Sequence, residues 1–301
     1  MASANSTSAS NFSSQDDLLD TVQWALIGIS VASTLYGACV IISSVSAYFL
    51  IHEKPTVNTS RKLLLAIIAV MLLCDTTFIF TFVGYLIAFF RDHNNEALAL
   101  AITTSFAVRV NYLLSDVVVV WRAWTLAAVR YPRAKYILVL CLGASCVAVI
   151  TSSVMITISE FQPEDSPLNT SFALEIYLPL VLLITNVVAT SFIGIITWES
   201  RHSMNLTYKG SNSKRFRTTG RLLVLMLESG FIYSFFWLLV LVNAALSSLF
   251  AEVMLMAIVP QITTVYPTIV IFLNATHRSV YTETDENTTY TPIKEEQGLL
   301  R

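Results

Sequence analysis

The sequence predicts an all-α polytopic membrane protein, a bundle of seven spanning helices with its N-terminus outside the cytosol and its C-terminus inside. Three observations predict it. Hydrophobic residues make up 55% of the 301-residue chain and charged residues only 13%, which gives a positive mean hydropathy outside the soluble range. Apolar stretches long enough to cross about 30 Å of hydrocarbon, roughly 20 helical residues each, recur seven times. Basic residues collect in alternate connectors, and these are the connectors retained in the cytosol.

The expected spans are 23–51, 63–89, 97–128, 135–158, 172–198, 221–246 and 250–274. Before them, residues 1–22 form a polar extracellular or lumenal tail without the basic start and short apolar core of a cleaved signal peptide. Asn5, Asn11 and Asn169 each begin a glycosylation triplet on the side expected to be translocated. Connector one carries Lys54, Arg61 and Lys62, and connector three carries Arg130, Arg133 and Lys135. Connector five, over residues 199–221, is the longest and most basic, with Lys214, Arg215, Arg217 and Arg221 toward its end. It is expected to lie against anionic lipid or to dock a cytosolic signalling partner. The opposite connectors hold one basic residue, Arg91. Connector four, 159–171, is acidic and contains Pro163 and Pro167. Only Ser247, Ser248 and Glu252 separate the last two spans, yet a single helix through both would be twice the length a bilayer accommodates. Residues 275–301 read as a disordered cytosolic tail ending in an acidic dileucine pattern, Glu295 to Leu300.

Charges within the spans are few and expensive, at roughly 2.5–3.5 kcal/mol each at a helix centre on insertion scales. They are Asp75 in helix two, Arg109, Asp116 and Arg122 in helix three, and Glu228 in helix six. All are expected to face the bundle interior. Ser105, Arg109, Tyr112 and Asp116 follow helical spacing and define one stripe of helix three, with Arg109 and Asp116 about 10 Å apart along the axis. Similar depths make Asp75 with Arg109 the expected pair, and Glu228 is expected to meet Arg122 or Asp116. Three acids against two arginines leave one carboxylate to be protonated, to bind a cation or to reach water. The same residues read either as a structural network fixing helix register or as a switch. Pro179 in helix five, and Pro260 and Pro267 in helix seven, each remove a backbone donor, so kinks are expected there and helix seven is expected to be irregular.

Several function classes lose support. All four cysteines (Cys39, Cys74, Cys141, Cys146) lie in apolar blocks and all four histidines in connectors, so neither a disulfide framework nor a metal site is expected. Without histidine or a retinal-binding lysine in any span, no catalytic residues and no cofactor are assigned. The net charge of −2 does not point to nucleic acid.

The segments Ser115-Asp116-Val117-Val118-Val119-Val120-Trp121-Arg122-Ala123-Trp124, Leu227-Glu228-Ser229-Gly230-Phe231-Ile232-Tyr233-Ser234 and Val265-Tyr266-Pro267-Thr268-Ile269 resemble the uncharacterised seven-helix membrane proteins of basidiomycete fungi. The resemblance runs over most of residues 22–274 and implies a receptor-like topology. Likeness to rhodopsin-like receptors is topological only. No cysteine stands at the outer end of helix three, Arg122 lacks that class's flanking acid and tyrosine, and Tyr266-Pro267 is not its Asn-Pro-x-x-Tyr. The expectation is an orphan receptor-like sensor in the plasma membrane, or in an endosomal or vacuolar membrane, that takes an unidentified small ligand. The alternatives are a seven-helix carrier of a small solute and a non-signalling structural membrane protein. For a carrier, the single Pro260-Gln261 dipeptide has no counterpart in the first half.

Overall fold

The computed structural model describes residues 4–52, 59–91, 94–127, 133–161, 169–207, 213–246 and 254–272, and every element in them is a helix. The helices are α1 (Ala4–His52), α2 (Thr59–Phe90), α3 (Asn94–Ala127), α4 (Ala134–Phe161), α5 (Asn169–Thr207), α6 (Ser213–Leu246) and α7 (Met254–Phe272). Each contains a segment long and apolar enough to cross a membrane. The polar break expected between the last two spans separates α6 from α7. The tail 275–301, with its dileucine pattern, lies outside the described residues, as does most of connector four.

Burial is inverted relative to a water-soluble bundle. Large apolar side chains such as Phe80 (74% exposed) and Leu140 (73%) point outward, whereas Ser145, Asn186, Thr264 and Asp116 are fully buried. Apolar exterior and polar interior is the arrangement hydrocarbon demands, since the acyl chains solvate Leu and Phe but not an amide. Outward hydroxyls obey the same rule locally. Ser30, Thr34, Thr77 and Thr103 each donate to the carbonyl four residues earlier, so none presents a free donor to lipid. The chain is an integral membrane protein.

Side-chain register gives the helix directions. Arg109 bonds Ser152 and Asp116 bonds Ser145, so advancing along α3 means retreating along α4. Thr81 with Thr104 and Asp75 with Asn111 make α2 antiparallel to α3 in the same way. Between α1 and α7, Cys39 meets Gln261 and Ser46 meets Thr268, and both numbers rise together. These two helices are parallel, as the first and last members of an odd up-and-down bundle must be.

One expectation needs correction. Connector five is not the longest connector, because α5 continues to Thr207 and α6 begins at Ser213. Lys214, Arg215, Arg217 and Arg221 therefore lie on the first turns of α6, and 208–212 lie outside the described residues. Helix α7 stays α-helical across Pro260 and Pro267. A proline removes one ladder bond, and neighbouring side chains hold the chain on either side. Thr263 and Asn111 donate to the Pro260 carbonyl, and Ser46 donates to that of Thr268. Helix α5 is also continuous through Pro179.

Candidate functional site

Helix α3 is the hub of the bundle. From Ala107 to Ala123 its buried residues include Arg109, Asn111, Ser115, Asp116, Val118 to Val120 and Arg122, which point in several directions around the axis rather than along one face. A helix can bury most of its circumference only by being surrounded, and α3 reaches four neighbours through polar side chains.

Toward α2 and α7, the Asn111 amide nitrogen donates to Asp75 Oδ1 at 2.9 Å, to Thr264 Oγ1 at 2.6 Å and to the Pro260 carbonyl at 3.2 Å. Beside this cluster, the Cys39 thiol of α1 donates to Gln261 Oε1 at 3.4 Å. Toward α4, Arg109 Nε donates to Ser152 at 2.8 Å and Nη1 to the Ser105 carbonyl at 2.8 Å. One α3 heptad further along, Ser145 donates to Asp116 Oδ2 at 2.6 Å, and Thr185 of α5 lies 3.0 Å from the same serine. Asp116 is thus joined through one hydroxyl to two helices.

Toward α6, Ser115 pairs with the Tyr233 hydroxyl at 2.8 Å. The Tyr233 ring stacks on Tyr266 of α7, with centroids 4.5 Å apart and planes within 6°, and meets Trp237 edge-on. Tyr112 meets Trp237 edge-on as well, at 5.1 Å. Arg122 donates to the Tyr266 hydroxyl at 3.0 Å, and its guanidinium lies 5.8 Å from that ring's centroid. An arginine, two stacked tyrosines and a serine thereby tie α3, α6 and α7 together. Tyr266→Phe keeps the stack and deletes one bond from Arg122. A loss of about 0.6–1.7 kcal/mol is expected, read as a lower melting temperature of the detergent-solubilised protein.

Helices α5 and α6 meet by close approach. Asn186 donates to Ser234 at 2.6 Å and to the Gly230 carbonyl at 3.1 Å, and the missing side chain of Gly230 leaves room for Thr190. The Glu-Ser-Gly and Tyr-Pro segments singled out in the sequence hold two of these contacts, at Gly230 and Tyr266.

The interior placement of Asp75, Arg109, Tyr112, Asp116 and Arg122 holds, and the stripe through Arg109 and Asp116 faces α4. The expected pair of Asp75 with Arg109 does not form. Asn111, two residues beyond Arg109, is turned by about 200° around the helix, so it faces α2 while Arg109 faces α4. Among the described residues neither Asp75, Asp116 nor Arg109 makes an ion pair; each is held by neutral groups. Glu228 is the second correction, because it points out of the bundle. It begins an exposed stripe with Phe231, Ile232, Phe235 and Leu239, while Gly230, Tyr233 and Trp237 occupy the inward face. It follows the apolar run Leu222 to Leu227, about 10 Å along the helix from Arg221, and turns outward rather than to a buried partner. Glu228→Gln should leave the melting temperature within about 1 °C, a check on that outward placement.

Asn111, Ser145, Thr185, Asn186 and Thr264 were not singled out from the sequence. The legible signal was that polar residues on α3 point to every side, the mark of a central helix. No group of three or more His, Cys, Asp or Glu that could hold a metal occurs among the described residues, and all four cysteines are free thiols. Asn5 and Asn11 lie on α1 and Asn169 opens α5. No family model matches the chain, and no curated protein matches it.

Proposed function

We propose that this integral membrane protein is a receptor-like sensor, with its N-terminus outside and its C-terminus in the cytosol, that relays a small-ligand signal from the plasma membrane to a cytosolic partner. The observation that carries the reading is the single pivot: buried polar bonds run from α3 to α2, α4, α6 and α7, and one hydroxyl extends them to α5. A rotation or shift of any of these helices exchanges a bond at α3. Because interior hydrogen bonds have a few discrete arrangements, a displacement at one end becomes a change of state at the other. The basic residues of the first turns of α6 supply positive charge for an acidic partner at the end to which the positive residues assign the cytosol.

Proximity labelling tests this directly. A promiscuous biotin ligase inserted within 208–212 is expected to label soluble signalling proteins such as nucleotide-binding proteins and kinases. Replacing Lys214, Arg215, Arg217 and Arg221 with glutamine is expected to remove them. Identical neighbours for both chains would defeat the reading, and concentrative uptake of a solute by proteoliposomes would assign the protein to the carriers instead.

A further inference from the structure

The surroundings of Asp75 hold an imbalance that the sensor reading does not use. Asp75 and Asn111 are each only 1% exposed, deep among α1, α2, α3 and α7. The Asn111 amide has two N–H protons, yet three oxygens lie within hydrogen-bond distance of its nitrogen: Asp75 Oδ1, Thr264 Oγ1 and the Pro260 carbonyl. Two further buried oxygens, Asp75 Oδ2 and Asn111 Oδ1, receive no hydrogen bond. The titratable groups that face Asp75 are Cys39 on α1, Cys74 on α2 and Tyr112 on α3; none is a base, and α7 offers only Thr264 and Gln261. The site is rich in oxygen and carries one formal negative charge, and beside it the buried Gln261 Nε2 has no acceptor.

That inventory selects its ligand. A buried carboxylate without a cationic partner is costly, and an amide oxygen left unbonded beside it adds to the cost. A hard cation that accepts only oxygen ligands meets both deficits. A divalent ion would leave an excess positive charge against a single carboxylate, and divalent ions ordinarily gather several. We propose that Asp75 Oδ2 and Asn111 Oδ1, with Thr264 beside them, bind one small monovalent cation, sodium in the first instance, between α2, α3 and α7. The bound ion clamps these three helices, so its loss loosens the α2–α7 side of the bundle. The assignment stands independently of the sensor reading, because a carrier or a structural protein with this interior would hold the same ion.

The test uses the full chain purified in non-ionic detergent, melted in sodium, potassium or choline chloride at one ionic strength of about 0.15 M. Replacing choline with sodium is expected to raise the melting temperature by about 3–6 °C in a saturable manner. Potassium should do less. Asp75→Asn should abolish the sodium response, whereas Glu228→Gln should retain it. If Asp75→Asn yields too little folded protein, Thr264→Ala carries the test, with half-saturating sodium rising by about tenfold. Equal melting in all three salts overturns the proposal, as does a sodium response that survives in both Asp75→Asn and Thr264→Ala. Melting that follows pH but not the cation also overturns it, and assigns a proton shared between Asp75 and Asn111.

Discussion

Replacing Asn111 by leucine is expected to lower the melting temperature of the solubilised protein by roughly 5–10 °C, equivalent to about 2–3 kcal/mol. A typical intramembrane hydrogen bond contributes only about 0.6 kcal/mol, because the separated helices find other partners. Asn111 should exceed that because one amide serves a carboxylate, a hydroxyl and a backbone carbonyl on two neighbouring helices. Leucine conserves approximate volume and removes the amide that faces all three oxygens, while leaving the Asp75 carboxylate buried with no donor from α3. Thr104→Val is the comparison. It deletes a single threonine-to-threonine bond between α2 and α3, 2.7 Å long, and should cost close to the typical value. A loss no larger for Asn111→Leu than for Thr104→Val would show that the cluster at Asp75 does not hold the bundle.

Gly230→Ala is expected to destabilise by about 1–3 kcal/mol, opposite in sign to the usual effect of alanine at a helical glycine. The new Cβ would sit 2.5 Å from Thr190 Oγ1, 2.8 Å from its Cγ2 and 3.2 Å from its Cβ. Threonine is stiff at χ1, so α5 and α6 must separate, stretching the bonds of Asn186 to Ser234 and to the Gly230 carbonyl. Gly143 provides the internal control. Nothing lies within 4 Å of a Cβ built there, so Gly143→Ala should stabilise by about 0.5–1 kcal/mol. Thr190→Ala combined with Gly230→Ala should recover part of the loss, and a thermal double-mutant cycle measures how much. If both glycines respond with the same sign, the close approach of α5 and α6 at Gly230 is not what determines the outcome.

Much of the fold was legible because hydropathy is a local property. The seven spans were legible one by one, since hydrocarbon thickness sets the minimum length whatever the neighbours are. The helix ends were less legible. Helix α6 extends back to Ser213 and α5 on to Thr207, where residues outside the hydrocarbon prolong a helix already nucleated within it. In the site, the spacing of Arg109 and Asp116 correctly put them on one face, and the serines at 145 and 152 repeat that spacing on the opposing helix. Asp75 with Arg109 failed because equal depth says nothing about azimuth. Glu228 failed because depth and cost do not say which way a side chain turns around its helix, and it stands on the outward face with Phe231 and Phe235.

The sequence by itself determined the medium and the number of spans, because each follows from composition along one line of chain. Only the tertiary structure decided that Asn111 rather than Arg109 meets Asp75, that Ser145 links Asp116 to Thr185, and that Tyr266 stacks on Tyr233 and accepts from Arg122. In a bilayer, lipid solvates an apolar helix face as well as another helix does, so hydrophobicity does not choose neighbours. Close packing and the matching of buried donors to acceptors choose them, and both depend on where each side chain stands around its helix when all seven are in place.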